Sequence, residues 1–221
     1  LLPELKFGGV ERGTVDLSEH LTKLGHQSAV VSAGGGLTEQ LSNHGAKHFL
    51  LPIAKKNFLA IKQYKNLRDI YREFKPDIIH VRSRFPAWIN VLALKGLSSS
   101  KPIVISTFHG LYSKPFYSKS MSYANDIIAI SKTVQEYVFK NYDVDHSRVH
   151  LIYRGCDIDE FNTSTPSEAW SNSWYKEFPQ TSDKILLTLP GRITGWKGIE
   201  DFLKLLSQLD QVKYHGLIPG P

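Results

Sequence analysis

The sequence predicts an α/β protein built on a parallel, doubly wound sheet. Short apolar runs typical of buried strands, such as residues 78–81 and 185–189, alternate along the 221 residues with segments whose apolar side chains recur at helical spacing. Glycines follow several of these runs, where the chain must turn sharply into the next helix. Because strand and helix alternate throughout, neighbouring strands are expected to pair in parallel through crossover helices.

The elements can be assigned in order along the first 161 residues. Apolar runs predict strands, and apolar stripes at helical spacing predict helices between them. A Lys-Pro-Asp sequence ends the longest helix, and Ser131 is placed to cap another. The predicted strands are residues 1–5, 27–32, 48–52, 78–81, 103–107, 126–130 and 149–153, and the predicted helices are residues 10–24, 37–43, 58–74, 86–97 and 132–142.

Composition divides the chain into three parts. Residues 1–161 predict one complete Rossmann-like domain. Residues 162–183 are rich in Ser, Thr, Asn and Pro, which predicts a linker carrying a short helix around residues 170–178. A new strand, helix and strand follow in residues 184–221, too few to bury a core alone. We therefore expect this last part to be the truncated start of a second domain.

Charge and composition narrow the classes of protein. Hydrophobic residues make up 41% of the chain and the formal charge is +6, which predicts a globular protein with a basic surface. The basic residues do not concentrate on one predicted helix, so a nucleic-acid-binding role is not expected. The single cysteine, Cys156, cannot form an internal disulfide, and no apolar run is long enough to span a bilayer.

The turn between residues 189 and 199 carries the clearest indication of a ligand. A buried strand is predicted before it and a helix after it, so Gly191 and Gly198 lie in a strand-to-helix turn. Arg192 and Lys197 place two cations beside the free N–H groups of a helix N-terminus, a combination that suits a phosphate or diphosphate. The alternative is a solvated basic loop whose glycines allow a tight turn.

The chain carries three glycine-containing motifs in order: Gly8-Gly9-Val10-Glu11, Gly155-Cys156-Asp157, and Gly191-Arg192 followed by Lys197-Gly198. Together they resemble one family, the retaining GT-B glycosyltransferases of family 4. Such enzymes have two Rossmann-like domains that face a cleft, the first holding mainly the acceptor and the second the sugar nucleotide. The resemblance implies transfer of a sugar from a UDP-, GDP- or ADP-sugar with retention, and it implies no required metal or other cofactor.

The resemblance assigns the late turn to the sugar-nucleotide donor. A leaving nucleoside diphosphate gains negative charge in the transition state, where cations and N–H groups stabilise it most. Arg192 and Lys197 would supply those cations in place of a divalent ion. Gly191 and Gly198 would belong to the same donor site.

The resemblance also assigns residues of the first domain. Gly8 and Gly9 would let the N-terminus of the first helix approach the diphosphate or the acceptor without an intervening side chain. His109 stands where family members often place a histidine near the transferred sugar. Its implied role is a hydrogen bond to a sugar hydroxyl.

Two arginines depart from the family pattern. Arg82 replaces a frequent histidine, and Arg154, whose role the sequence leaves undecided, replaces a frequent asparagine. Arg82, Ser83 and Arg84 follow a predicted strand of the acceptor domain, so they suggest an acceptor that bears a phosphate or carboxylate. The alternative is that these arginines pair with acids on the surface.

These motifs predict part of an enzyme of cell-envelope, lipopolysaccharide-type biosynthesis, acting on an anionic glycolipid or oligosaccharide. The expected location is cytoplasmic, at the inner face of the plasma membrane. An aromatic, basic segment at residues 112–123 is expected to line or cover the cleft; the alternative is that it makes peripheral contact with the anionic membrane. The family's paired glutamates would lie beyond Pro221, so the chain alone is expected to be inactive. A non-catalytic sugar-nucleotide or glycan-binding module and a GT-B nucleotide-sugar epimerase remain alternatives.

Overall fold

The computed structural model describes residues 1–97, 101–112, 115–159, 161 and 164–220. The described chain forms two compact units, Leu1–Gly155 and Cys156–Pro221. Several stretches named in the sequence predictions fall partly outside the described residues: residue 160 of the first domain, residues 113–114 of the aromatic, basic segment at 112–123, residues 162–163 of the linker at 162–183, and Pro221 of the second domain.

The first unit alternates strands with helices, as the sequence predicts, and adds a 3-10 turn at His146–Arg148. In chain order its elements are α1 (Gly9–Lys23), β1 (Ala29–Ser32), α2 (Thr38–Asn43), β2 (Lys47–Leu50), α3 (Phe58–Lys62), α4 (Tyr64–Phe74), β3 (Ile78–Val81), α5 (Arg84–Leu94), β4 (Ile103–Phe108), α6 (Pro115–Ser122), β5 (Asp126–Ala129), α7 (Lys132–Asn141) and β6 (Val149–Leu151).

All strand pairs of the first unit are parallel among the described residues. Strands β3, β4, β5 and β6 form one sheet in that order, and β1 pairs with β2 in a second. The register of β3 on β4 sets Ile78 opposite Ile103 and Val81 opposite Ser106. Buried side chains from these strands and the covering helices form the main core, with Phe108 fully buried within it. The α/β class with parallel sheets is therefore confirmed.

The predicted first strand, residues 1–5, is extended but does not form a regular strand. Its backbone nevertheless bonds to strands on both sides. The N–H of Leu2 donates to the carbonyl of Val31 in β1 at 3.2 Å, and the N–H of Arg82 donates to the carbonyl of Leu1 at 3.0 Å. This segment therefore lies between β1 and β3 and connects the two sheets through main-chain hydrogen bonds.

Proline explains why the segment is not a regular strand. Pro3 lacks an N–H and can only accept, which it does from the N–H of Ala33 at 2.9 Å. The pairing resumes beyond it, where the N–H of Leu5 donates to the carbonyl of Gly34 at 2.8 Å. Leu2 and Leu5 are fully buried, so the segment is held by packing as well as by hydrogen bonds.

The prediction of one long helix over residues 58–74 is wrong, because the helix breaks at Gln63. The side chain of Asn57 caps α3 by accepting from the N–H of Ala60, and the N–H of Gln63 then bonds to the carbonyl three residues back. This tighter turn shifts the helical face, so Phe58 is 67% exposed although it continues the apolar stripe of α4 in sequence.

Helix α6 is a further departure, because no element is predicted for residues 112–123. Its buried residues are Met121, which is fully buried in the main core, and three serines, Ser118, Ser120 and Ser122. The hydroxyl of Ser120 donates to the carbonyl of Arg84 at 3.0 Å, so α6 packs on the start of α5 through a polar contact. A helix whose buried residues are mostly serines leaves only a weak apolar stripe for a periodicity argument to detect.

The second unit contains the strand, helix and strand that the sequence predicts, preceded by a helix within the predicted linker. A Cβ on Gly216 would lie 2.2 Å from Leu206, which shows how closely the last helix packs on the last strand. The elements are α8 (Glu168–Glu177), β7 (Ile185–Thr188), α9 (Ile199–Ser207) and β8 (Tyr214–Leu217), with 3-10 turns at Pro179–Thr181 and Gly195–Lys197, and β7 pairs with β8 in parallel.

Membrane-spanning helices were also sought. No helix among the described residues combines the length and the apolar character that crossing a bilayer requires.

The contact between residues 5–6 and Gly35 can be tested by substitution. Gly35 has a φ of +147°, and a Cβ there would lie 2.4 Å from the carbonyl carbon and oxygen of Leu5. We expect Gly35→Ala to lower the free energy of unfolding by about 3 kcal/mol, since backbone strain adds to a clash with fixed main chain. Urea denaturation measures the change.

Gly45→Ala is the matched control for this experiment. Gly45 also has a positive φ, +81°, but no atom lies within 4 Å of its Cβ position. This variant should lose only about 1 kcal/mol, the cost of the left-handed backbone. Equal losses in the two variants would show that the Leu5 contact is not a determinant of stability.

Candidate functional site

Three basic side chains of the first unit come from the ends of three parallel strands. Arg82 directly follows β3, His109 directly follows β4, and Arg154 comes shortly after β6. The strands of one parallel sheet end at the same edge, and α/β proteins bind ligands at that edge. These three residues are therefore candidates for a ligand-binding site.

The His109 ring is buried without protein partners. Neither Nδ1 nor Nε2 has a hydrogen-bond partner among the described residues, while the main-chain N–H donates to the hydroxyl of Tyr112 at 3.3 Å. Burial, together with the positive charges of Arg82 and Arg154, lowers the pKa of His109 to about 3. The imidazole is therefore neutral at physiological pH, with one N–H donor and one nitrogen acceptor available to a polar ligand.

Arg82 is a buried cation without a hydrogen-bonded counterion. Its side chain is only 9% exposed, and its Nε has no hydrogen-bond partner within the described parts of the chain. Burial and the charge of Arg154 lower the pKa of Arg82 to about 10, although Asp16 and Glu11 act in the opposite direction. A buried arginine normally has its donors satisfied, so this one has capacity for a ligand.

Arg154 reaches back from the end of the sheet to the first helix. Its Nη2 donates to the carbonyl of Gly9, and the same atom lies 2.6 Å from where a Cβ on Gly13 would be. Nη2 of Arg82 lies 3.6 Å from that same point. The two guanidinium groups therefore converge beside Gly13, one turn into α1.

Arg84 has different neighbours from Arg82. Its guanidinium lies over the rings of Tyr112 and Tyr117, 4.7 and 5.2 Å from their centres, in cation–π contacts. Ser83, between the two arginines, precedes α5 in an extended conformation, and its side chain does not cap the helix. The structure thus groups Arg82 with Arg154 and His109, and it places Arg84 against tyrosine rings.

Gly8 and Gly9 make room for side chains of the chain itself. A Cβ on Gly8 would lie 2.4 Å from Oε2 of Glu11, and one on Gly9 would lie 3.0 Å from Nη1 of Arg154. The space beside Gly9 is thus occupied by a guanidinium that faces the start of α1. Direct approach of a ligand to Gly8 and Gly9 stays a prediction.

The late glycine turn lies in the second unit, between β7 and α9. Gly191 has a φ of +149°, and its N–H donates to the carbonyl of Pro219 at 2.9 Å. The aliphatic part of Lys197 lies 3.8 Å from the Cβ position of Gly191, and its Nζ lies 4.5 Å from the ring centre of Trp196. Gly198 adopts a left-handed conformation directly before α9. Both glycines thus fit a turn that other residues enter only with strain.

The two cations of this turn are available to a ligand. Arg192 and Lys197 are exposed, and neither forms an ion pair with any residue that the structure describes. The acids Glu200 and Asp201 occupy the first turn of α9, where they complement the helix dipole. A bound phosphate would therefore depend mainly on Arg192 and Lys197 for its compensating charge.

The sequence leaves the role of Arg154 undecided and gives no indication of a role for Gly13. A signal for Arg154 was present, because it follows the end of a parallel strand as Arg82 and His109 do. No comparable signal marks Gly13, whose importance comes from the two guanidinium groups that lie against it.

Comparison with known proteins identifies the family. The model of glycosyltransferase family 4 matches residues 7–160. An uncharacterized glycosyltransferase of Methanocaldococcus jannaschii is 24% identical over 224 residues, which cover 94% of this chain and 57% of that protein.

Solved structures agree with this result. A glycosyltransferase from Rickettsia africae ESF-5 superposes with a TM-score of 0.80 at 29% identity, over 99% of this chain and 59% of that one. The lipopolysaccharide outer core galactosyltransferase WaaB, in its apo form, gives 0.62 at 16% identity, over 96% and 57%. This chain thus spans less than two thirds of the length of these relatives.

The residues that match the family include Gly8 and Gly9. They also include the three basic residues at the edge of the sheet, Arg82, His109 and Arg154. The similar solved structures have the same α/β architecture with Rossmann-like domains. On these grounds, the chain belongs to glycosyltransferase family 4.

Proposed function

We propose that this chain forms the acceptor domain and the first part of the donor domain of a retaining glycosyltransferase. The enzyme transfers a sugar from a UDP-, GDP- or ADP-sugar to an anionic glycolipid or oligosaccharide. The observation that carries this proposal is the match of residues 7–160 to glycosyltransferase family 4.

In this reaction the bond between the anomeric carbon and the diphosphate breaks, and a bond to an acceptor oxygen forms on the same face of the sugar. The acceptor hydroxyl gives up its proton to the released diphosphate. Negative charge grows on the departing diphosphate, where Arg192 and Lys197 stabilise it. The neutral imidazole of His109 exchanges hydrogen bonds with a sugar hydroxyl. Its low pKa supports this role, since an uncharged ring can both donate and accept.

The setting we propose is cell-envelope biosynthesis at the cytoplasmic side of the plasma membrane. WaaB, named for the lipopolysaccharide outer core, is an example of this architecture in such a setting. On this chain, the exposed Phe116 and Leu111 near Lys119 support peripheral contact with an anionic membrane.

The proposal is tested by incubating the full-length protein with each sugar nucleotide and an anionic glycolipid acceptor. We expect a glycosylated acceptor whose new linkage has the anomeric configuration of the donor, as read by NMR spectroscopy. An inverted linkage would exclude retention. Donor epimerised in the absence of acceptor, or donor binding without turnover, would contradict the proposed transfer.

Lys197→Ala should lower kcat at saturating acceptor by about a hundredfold or more, because it removes a cation aimed at the leaving diphosphate. Steady-state kinetics on the full-length protein measure this loss. Lys204→Ala is the control, since Lys204 is an exposed lysine of the same unit that lies 4.0 Å from Asp201. Near-normal turnover of Lys197→Ala would refute the assigned role.

His109→Asn should lower kcat/KM by about tenfold, the value of one lost hydrogen bond, without moving the acidic limb of the pH profile. The reason is that His109 has a pKa of about 3, below the range in which the enzyme is assayed. Values of kcat/KM measured between pH 5 and 9 for the wild type and the variant test this expectation. An acidic limb that disappears in the variant would mean that His109 titrates during catalysis.

A further inference from the structure

We propose that Arg82 and Arg154 together bind one oxyanion, a phosphate or carboxylate group of the ligand, beside the imidazole of His109. This inference deepens the proposed function and rests on it only for the identity of the ligand. The sequence predicts that Arg82 and Arg84 bind an anion together; here the second arginine is Arg154 instead of Arg84.

The first argument is convergence. Nη2 of Arg154 and Nη2 of Arg82 approach the same point beside Gly13, at 2.6 and 3.6 Å. The residue at this position has no side chain, so both guanidinium groups can meet there. Two like charges held this close favour an anion between them, because an anion converts their repulsion into attraction.

The second argument is that neither arginine forms an ion pair within the described residues. Nε of the buried Arg82 has no hydrogen-bond partner, and no described carboxylate forms an ion pair with Arg82 or Arg154. Asp16 and Glu11 are near enough to raise the pKa of Arg82, but neither is paired with it. Asp16 accepts from Nε of Arg12 at 2.7 Å, and the carboxylate of Glu11 lies against Gly8.

The third argument is the neighbouring histidine. Both ring nitrogens of His109 lack partners among the described residues, and its ring feels the charges of both arginines. A ligand group bound here would contact two guanidinium groups and one neutral imidazole. That set matches an oxyanion attached to a hydroxyl-bearing molecule better than it matches a hydrocarbon or a cation.

Position explains why Arg84 is not the second member of the pair. The atoms nearest the Cβ position of Gly13 belong to Arg154 and Arg82, while the guanidinium of Arg84 lies over two tyrosine rings. Adjacent position in sequence therefore does not make Arg82 and Arg84 a common site.

The test measures binding of inorganic phosphate to the full-length protein by isothermal titration calorimetry at constant ionic strength. We expect Arg82→Gln and Arg154→Gln each to weaken phosphate binding about tenfold or more, as loss of a charge-assisted hydrogen bond does. The double variant should lose little beyond either single variant, because both residues hold the same anion.

Two other arginines serve as controls. Arg72→Gln removes an equal charge from the exposed face of α4, where Arg72 pairs with Asp69, and it should leave phosphate binding unchanged. Arg84→Gln should have a far smaller effect than Arg154→Gln. Equal losses for Arg84→Gln and Arg82→Gln, with none for Arg154→Gln, would overturn the proposed pair.

Folding is monitored in the same variants by thermal unfolding in phosphate-free buffer. Arg154 is exposed, and its removal relieves repulsion on Arg82, so Arg154→Gln should unfold within a few degrees of the wild type. Phosphate should then raise the unfolding temperature of the wild type and of Arg72→Gln but not of Arg154→Gln. A full phosphate response in Arg154→Gln would refute the site.

Parallel titrations with UDP and with glucose 6-phosphate distinguish the source of the oxyanion. If the anion belongs to the acceptor, Arg154→Gln weakens binding of the sugar phosphate and leaves UDP binding unchanged. If it belongs to the donor, UDP binding weakens as well; either result supports the pair. These titrations measure binding, so they can support the Arg82–Arg154 site even if the protein does not transfer a sugar. If Arg154→Gln transfers sugar normally and binds both ligands as the wild type does, the site is refuted while the proposed transfer stands.

Discussion

Main-chain hydrogen bonding by residues 1–5 is the constraint on which the first unit depends. This segment bonds to β1 on one side and to the residue after β3 on the other, so it connects two parallel sheets despite the missing donor of Pro3. Its bond from the N–H of Arg82 fixes the point at which β3 ends. From that point the side chain of Arg82 enters the interior, while the chain after residue 5 turns into α1.

The chemistry of the candidate site follows from this placement. Burial and charge act together there, because burial and the positive charges of Arg82 and Arg154 all keep His109 uncharged. A neutral imidazole beside two guanidinium groups can bind the polar and the anionic parts of one ligand separately. The fold thus holds two positive charges close together, an electrostatically unfavourable arrangement that a bound oxyanion would stabilise. Such arrangements are typical of functional sites.

Sequence patterns predicted the features that are local, including most strands, the α/β class and the two glycine turns. They failed where a structure departs from apolar periodicity, as in α6 with its buried serines and at the break at Gln63. They also failed where contacts are distant. Arg154 meets Gly9 across 145 positions, and nothing near either residue indicates that contact. The pairing of Arg82 with Arg84 was a hypothesis based on adjacency, and tertiary structure groups these residues differently.

The most direct test of this account is a crystal structure of the full-length protein with inorganic phosphate or a phosphorylated acceptor bound. The account predicts electron density for one oxyanion within hydrogen-bond distance of both Arg82 and Arg154, with His109 contacting the same ligand. Density for the anion at Arg84 instead, with the guanidinium groups of Arg82 and Arg154 bound to acids of the protein, would contradict it.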